Sequence, residues 1–160
     1  MINEAKSAVC SAFGRKFLGY ELWVAKGREV KCAVADKALG DFKARIRRLT
    51  GCSRGRSMVQ IVEELRPYLL GWKAYFGLAQ TPRVWRELDE WLRHRMRAMQ
   101  LKQCKQGTTM YRELLTLGAP REVAQRVAAN GRRWWRNSSK ALNSVFTISW
   151  FDRLRLPRLA

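Results

Sequence analysis

The sequence predicts a mainly α protein in which an N-terminal β-hairpin is followed by a helical bundle and short C-terminal helices. Three observations carry this. Apolar residues alternate, strand-like, from Leu18 to Val34. From Asp36 onward they recur at helical spacing. Hydrophobic residues make up 47% of the 160 residues and include seven Trp, enough to fill a core, so the high charge belongs to a folded body and not to a basic tail.

The hairpin is read from "KFLGYELWVAKGREVKCAVA" (16–35). Leu18, Tyr20, Leu22 and Val24 alternate on one strand and Val30, Cys32 and Val34 on the next, with Lys26 and Gly27 as the turn between them. The first helix follows, with Asp36 as its expected N-cap, Leu39, Phe42, Ile46 and Leu49 as its core stripe, and Gly51 at its end. Lys43, Arg45, Arg47 and Arg48 ride on its other sides.

The second helix starts in "SRGRSMVQIVEELRPYLLGWKAYFG" (53–77), where Ser57 and Gln60 have the spacing of a capping box. Ile61, Val62, Leu65, Tyr68, Leu69, Trp72, Tyr75 and Phe76 form a broad apolar face. Rings at this spacing read as packing before base stacking. Pro67 has no N–H to donate, so a kink or a restart is expected there. Gly71 is expected to let another backbone approach closely.

Thr81 and Pro82 open the longest helix, as cap and first helical residue. Val84, Trp85, Leu88, Trp91, Leu92, Met96 and Met99 should face inward, Trp91 towards the second helix. Arg83, Arg86, Arg93 and Arg97 should share the opposite, solvent-facing side, and Lys102 and Lys105 continue the charge. Shorter helices are expected near 109–117, 120–129, 139–147 and 149–155, broken by "LGAP" (117–120) and "ANGRRWWRNSSK" (129–140). A soft boundary falls near "KQCKQGTT" (102–109).

Charge is the strongest signal for function. Lys and Arg number 32 against 13 Asp and Glu, a formal net charge of +19, which predicts attraction to polyanions. The cations cluster at 43–56 (Lys43, Arg45, Arg47, Arg48, Arg54, Arg56), at 93–105 (Arg93, Arg97, Lys102, Lys105) and at 132–140 (Arg132, Arg133, Arg136, Lys140). With Arg86 these are the expected RNA contacts. Arginine can fork onto a phosphate or stack on a base. A membrane surface is the weaker candidate, because the apolar faces are ring-rich and would be used up by the core. No apolar run approaches the roughly 18 residues of a spanning helix.

Catalytic signals are missing. The single His, His94, sits among cations in "LRHRMR" with no acid to orient it. Cys10, Cys32, Cys52 and Cys104 are far apart and form no CxxC pair, so no zinc site is expected and the thiols read as free in a reducing cytoplasm. "MINEAKSAVC" has no secretory apolar core, consistent with a cytoplasmic location. "GCSRGRS" lacks the phosphate-loop pattern. Glu63, Glu64, Glu87, Asp89 and Glu90 read as surface partners of Arg, and no carboxylate pair sits at strand ends as two-metal phosphoryl transfer requires. The residues describe a binder without a cofactor or metal.

The same residues resemble a family. "NEAKSAV" (3–9), "RKFLGY" (15–20), "LRPYLLGWKAYF" (65–76), "LDEWLRHRMR" (88–97) and "KQCK" (102–105) stand in the order of a bacterial group II intron reverse transcriptase/maturase, and "GRRWWRNSSKALN" (131–143) with "WFDRLRLPRL" (150–159) resembles the end of that family's chain. The glycine–tryptophan stretch followed by the LDxWLRxRxR helix is the more specific part; FLGY alone is weak. The resemblance implies a remnant of the palm at 1–35, the thumb or maturase X domain at 36–106 and a short DNA- or RNA-binding tail at 107–160. It also implies an RNA-binding module supporting intron splicing and mobility. Intron RNA is the implied partner, with a DNA target or RNA/DNA duplex, and the family's palm and fingers, as further partners.

The chain departs from the family pattern in two respects. The aromatic–x–Asp–Asp polymerase motif is absent, so the sequence reads as a non-catalytic C-terminal part; the competing readings are a piece of an RNA-directed DNA polymerase completed in trans and a decayed remnant. Cys104 stands where the family has Trp in KQWK, a difference that reads as a loosened helix end or as drift.

Overall fold

The computed structural model describes residues 11–51, 55–139 and 142–160. Arg54, Lys140, Cys10 and Cys52 lie outside those residues. The N-terminal hairpin is β2 (Tyr20–Val24) against β3 (Val30–Val34), antiparallel, with Tyr20 opposite Val34 and Val24 opposite Val30. A third strand that the alternation does not signal, β1 (Lys16–Phe17), is added on the other edge of β2. It is too short for a two-residue period to register. Its turn is visible in chemistry instead: Leu18 and Gly19 carry φ of 50° and 80°, as a two-residue turn between twisted strands demands. A Cβ on Gly19 would lie 3.0 Å from the Phe76 ring, so this turn packs on the helical body. The sheet is tied there by Gln80 N–H donating to the Cys32 carbonyl (2.8 Å) and Tyr75 OH donating to the Leu18 carbonyl (2.9 Å).

Helix α1 (Asp36–Leu49) buries Phe42 and Ile46 completely. Its N-cap is Ala35, not Asp36; Asp36 lies in the first turn, where its charge complements the helix dipole instead of capping. Helix α2 (Met58–Tyr75) opens with the expected capping box, Gln60 N–H on Ser57 Oγ (3.3 Å) and Ser57 N–H on Gln60 Oε1 (2.8 Å). It runs through Pro67 without a restart. Pro67 is exposed, whereas Leu65, Leu69 and Trp72 on the apolar face are buried, and their packing holds the helix together across the missing donor. Gly71 meets no other backbone: a Cβ there would find open space.

Helix α3 (Pro82–Gln103) carries Pro82 in its first turn, but Thr81 makes no side-chain cap, and its Oγ1 is buried without a partner. Helices α1, α2 and α3 meet around Trp72, whose ring lies 4.5 Å from Phe42, 4.6 Å from Phe76 and 5.3 Å from Trp85. The end of α3 is not loosened: Cys104 is its buried C-cap, and burial pushes its thiol pKa up.

Helices α4 (Gly107–Thr116) and α5 (Arg121–Ala129) form an antiparallel pair. Gly107 is required at its start, because a Cβ there would stand 2.8 Å from the Ala128 carbonyl oxygen. The stretch read as a break, 129–140, holds a 3-10 turn (Gly131–Arg133) and the single turn α6 (Trp134–Asn137). The helix expected at 139–147 is absent from its described residues, which form successive turns with Phe146 N–H on the Leu142 carbonyl (2.9 Å). Leu142, Val145 and Phe146 are nevertheless buried, so the apolar spacing marks core contact and not helix. Helix α7 (Ile148–Arg153) follows, capped by Thr147 Oγ1. One hydrophobic core continues from Val34 to Leu159. Among the described residues no helix is long and apolar enough to cross a membrane.

Candidate nucleic-acid interface

The cations predicted as RNA contacts divide by the element that carries each one. On α1, burial of Phe42 and Ile46 leaves Arg45, Arg47 and Arg48 exposed on a rigid helix and Lys43 half-buried. None of the four makes an ion pair among the described residues. The Arg47 guanidinium lies 5.6 Å from the centre of the Trp91 ring. Trp91 is half-buried, packed against the core and lying beneath this cation of α1.

Arg56 is committed to the fold. It pairs with Glu64 and donates through Nη2 to the Leu49 carbonyl (2.7 Å), while Gln103 donates to its own carbonyl (2.9 Å). The segment entering α2 is thereby clamped to the ends of α1 and α3.

The arginines of α3 separate. Arg86 is exposed, and Arg83 is exposed and paired with Glu87 at 2.7 Å. Arg93 is half-buried, 3.8 Å from Asp89. Arg97, expected on the solvent side, is only 8% exposed. The cause is the segment after α6, which covers this face: Arg97 Nε donates to the Ser138 carbonyl (2.9 Å) and Nη1 to the Phe146 carbonyl (3.4 Å). Burial first, and the neighbouring Arg93 charge second, pull its pKa down to about 10. Asp89, expected as a surface partner, is 3% exposed and accepts from the backbone N–H groups of Leu159 and Ala160.

Past α3 a second basic surface forms. Lys102 stands 5.1 Å over the Trp134 ring, and Lys105 is exposed at the α3–α4 junction with φ of 56°. Arg132, Arg133 and Arg136 are exposed on the 3-10 turn and α6. Lys105, Arg132 and Arg133 line one concavity of about 360 Å³, and Arg133, Arg136 and Arg126 line a second of the same size, so Arg133 joins the two. Sequence spacing does not single out Arg126. It lies on α5, six residues before the 132–140 cluster, and only the α5–α6 turn brings it alongside. His94, no candidate base, packs against Trp135 with the rings tilted by 35° (4.2 Å between centroids) and its Nε2 at 3.0 Å from the Trp135 carbonyl.

The arrangement can neutralise phosphates from two rigid surfaces, α1 and the α5–α6 turn, joined through α3. Among the described residues no three His, Cys, Asp or Glu side chains stand together as metal ligands. Residues 39–118 match the family model of the group II intron, maturase-specific domain. No curated protein matches the chain.

Proposed function

The chain belongs to the group II intron maturase-specific domain family, and from that premise we propose that it is an RNA-binding maturase module that supports splicing and mobility of its intron without polymerase chemistry of its own. The observation that carries this reading is the set Arg45, Arg47 and Arg48, exposed and without acidic partners among the described residues, on a helix whose Phe42 and Ile46 are locked in the core. Such a set contacts phosphates without cost to folding, and structured RNA offers phosphates and 2′-hydroxyls more readily than base edges. The test is titration of a structured group II intron RNA across salt. If about 6–10 phosphates are contacted, affinity falls by roughly 10³–10⁵ between 50 and 200 mM salt. A salt-independent isotherm overturns the reading.

A second reading has its own observation. Phe17, Leu18 and Leu78 are 76%, 65% and 77% exposed and border an apolar concavity of about 700 Å³ beside the sheet. A palm and fingers part supplied in trans would cover that face. Primer extension that arises only when such a part is mixed with this chain would favour it.

A further inference from the structure

A cavity of about 770 Å³ lies against the middle of α3 and is walled across from the helix by the turns that follow α6. Glu90 and Arg93 are three residues apart, as are His94 and Arg97, and the pairs Glu90–His94 and Arg93–Arg97 are four apart, so all four fall on one side of α3 along its floor. Its size is that of a small-molecule site.

Three features make this cavity more than a gap. Arg97 is more than nine-tenths buried, yet no acid pairs with it among the described residues. Its Nε and Nη1 are spent on the Ser138 and Phe146 carbonyls, and Nη2 makes no hydrogen bond among the described residues. Arg93, the next cation on that side of α3, has to share Asp89 with two backbone amides of the C-terminus. The basic end of the cavity thus holds two guanidinium groups, of which only Arg93 has an ion-pair partner among the described residues, and an anion would supply the counter-charge that Arg97 lacks. The opposite end carries Glu87 and Glu90. Glu90 and Arg97 are seven residues apart, about 10 Å along a helix rising about 1.5 Å per residue, comparable to the reach of a nucleotide from phosphate to base edge. Between the ends lies Trp91, whose ring is held under the Arg47 guanidinium.

We infer that this cavity takes one unstacked nucleotide of the bound RNA, its phosphate on Arg93 and Arg97, its base against Trp91, and an exocyclic amine of the base donating to Glu87 or Glu90. The inference rests on the RNA-binding reading above and adds to it a specific contact. Arg47 connects the two, since it belongs to the exposed set on α1 and touches the ring that lines the cavity. A strand tracking along α1 can therefore turn a base into the cavity without leaving positive charge. Carboxylates at the base end favour cytosine, adenine or guanine, which carry an amine, over uracil, which does not.

The experiment uses the ¹⁵N-labelled full chain and reads the Arg97 Nε–H and Trp91 indole N–H resonances during titration with CMP, UMP, cytidine, inorganic phosphate and a structured RNA. CMP should move both resonances saturably, UMP should bind about tenfold more weakly, and cytidine, without a phosphate, should weaken by at least as much. Phosphate alone should move Arg97 and leave Trp91 in place. Glu90→Gln, at an exposed position, should fold normally and bring CMP down towards UMP. If structured RNA binds but both resonances stay fixed and CMP does not saturate by about 10 mM, the cavity is not a nucleotide site while the RNA-binding reading stands. If CMP saturates the cavity and RNA neither binds nor displaces it, the ligand is a free nucleotide and both readings fall.

Discussion

Leu159 donates its backbone N–H to the Asp89 carboxylate at 3.0 Å, across seventy residues of sequence. Ala160 donates to the other carboxylate oxygen at the same distance. The tail leading to this clamp is held along α2 as well, by Arg66 on the Arg155 carbonyl (3.1 Å) and Lys73 on the Arg158 carbonyl (2.9 Å). Leu156 and Leu159 are buried beneath it. This tail is thus a strap across α2 and α3, and one buried carboxylate fastens its last two residues.

Asp89→Ala should therefore release the end of the strap. Two charge-assisted hydrogen bonds disappear and two amides are left without their acceptor, a destabilisation of about 2–4 kcal/mol. Hydrogen exchange should show reduced protection at Leu159 and Ala160 before any change in the core of α3. Unaltered exchange at those two amides would contradict the clamp.

Arg97→Ala should cost about 2–4 kcal/mol in melting experiments, because both bonds it gives to the segment after α6 are charge-assisted and mostly shielded from water. A surface arginine at this position would change stability by no more than about 0.5 kcal/mol. The melting temperature of the variant separates the two directly, and a wild-type value would mean that the segment docks without Arg97.

These two residues also mark the limit of what the sequence discloses. The helical bundle, the capping box at Ser57 and the aromatic junction at Trp72 are legible because each depends on residues close in sequence or on a regular period. The exposure of Arg45, Arg47 and Arg48 follows from the same period. Arg97 shares its helical phase with exposed positions, and nothing local reveals that the turns after α6 will fold over it. Asp89 resembles any acid among arginines until the far end of the chain arrives. The turns at 142–147 read as helix because their buried residues fall at helical spacing, while Asn143 and Ser144 between them favour turns. Of the candidate interface, the α1 set is visible in full, whereas the joined concavities at Arg133 need the α5–α6 turn, which no periodicity announces.

The same tail offers a test in acid. The hydrogen bond from Arg158, then its charge, holds the Asp152 carboxyl below the usual carboxylate range. A folded-state value below the unfolded one means that the stabilisation is present above the unfolded pKa, near pH 4, and is lost as pH falls through the lower folded value. Wild type should melt slightly above Asp152→Asn at pH 6, and the two should converge towards pH 2. A gap that persists at pH 2 would assign the effect to something other than this ionisation.

The division of labour between faces of the bundle can be tested with one pair of variants. Trp72 touches rings from α1 and α3 and from the end of α2, and it is 9% exposed. Its truncation to Ala should remove about 3–5 kcal/mol, as loss of a packed aromatic does. Arg45 and Arg48 are exposed on α1, and replacing both by Ala should leave stability within about 0.5 kcal/mol. RNA binding should respond in the reverse order. The double arginine variant should weaken affinity for structured RNA and flatten its log–log salt dependence by about 0.7–0.9 for each phosphate it no longer neutralises, so by one or two such steps. Trp72→Ala should bind RNA with the wild-type salt slope at temperatures where it remains folded, since its ring faces the core. Melting curves and RNA titrations on the same preparations decide the matter. If the arginine pair unfolds the protein, or if folded Trp72→Ala binds without the salt slope, then the exposed set is structural and the aromatic junction takes part in binding.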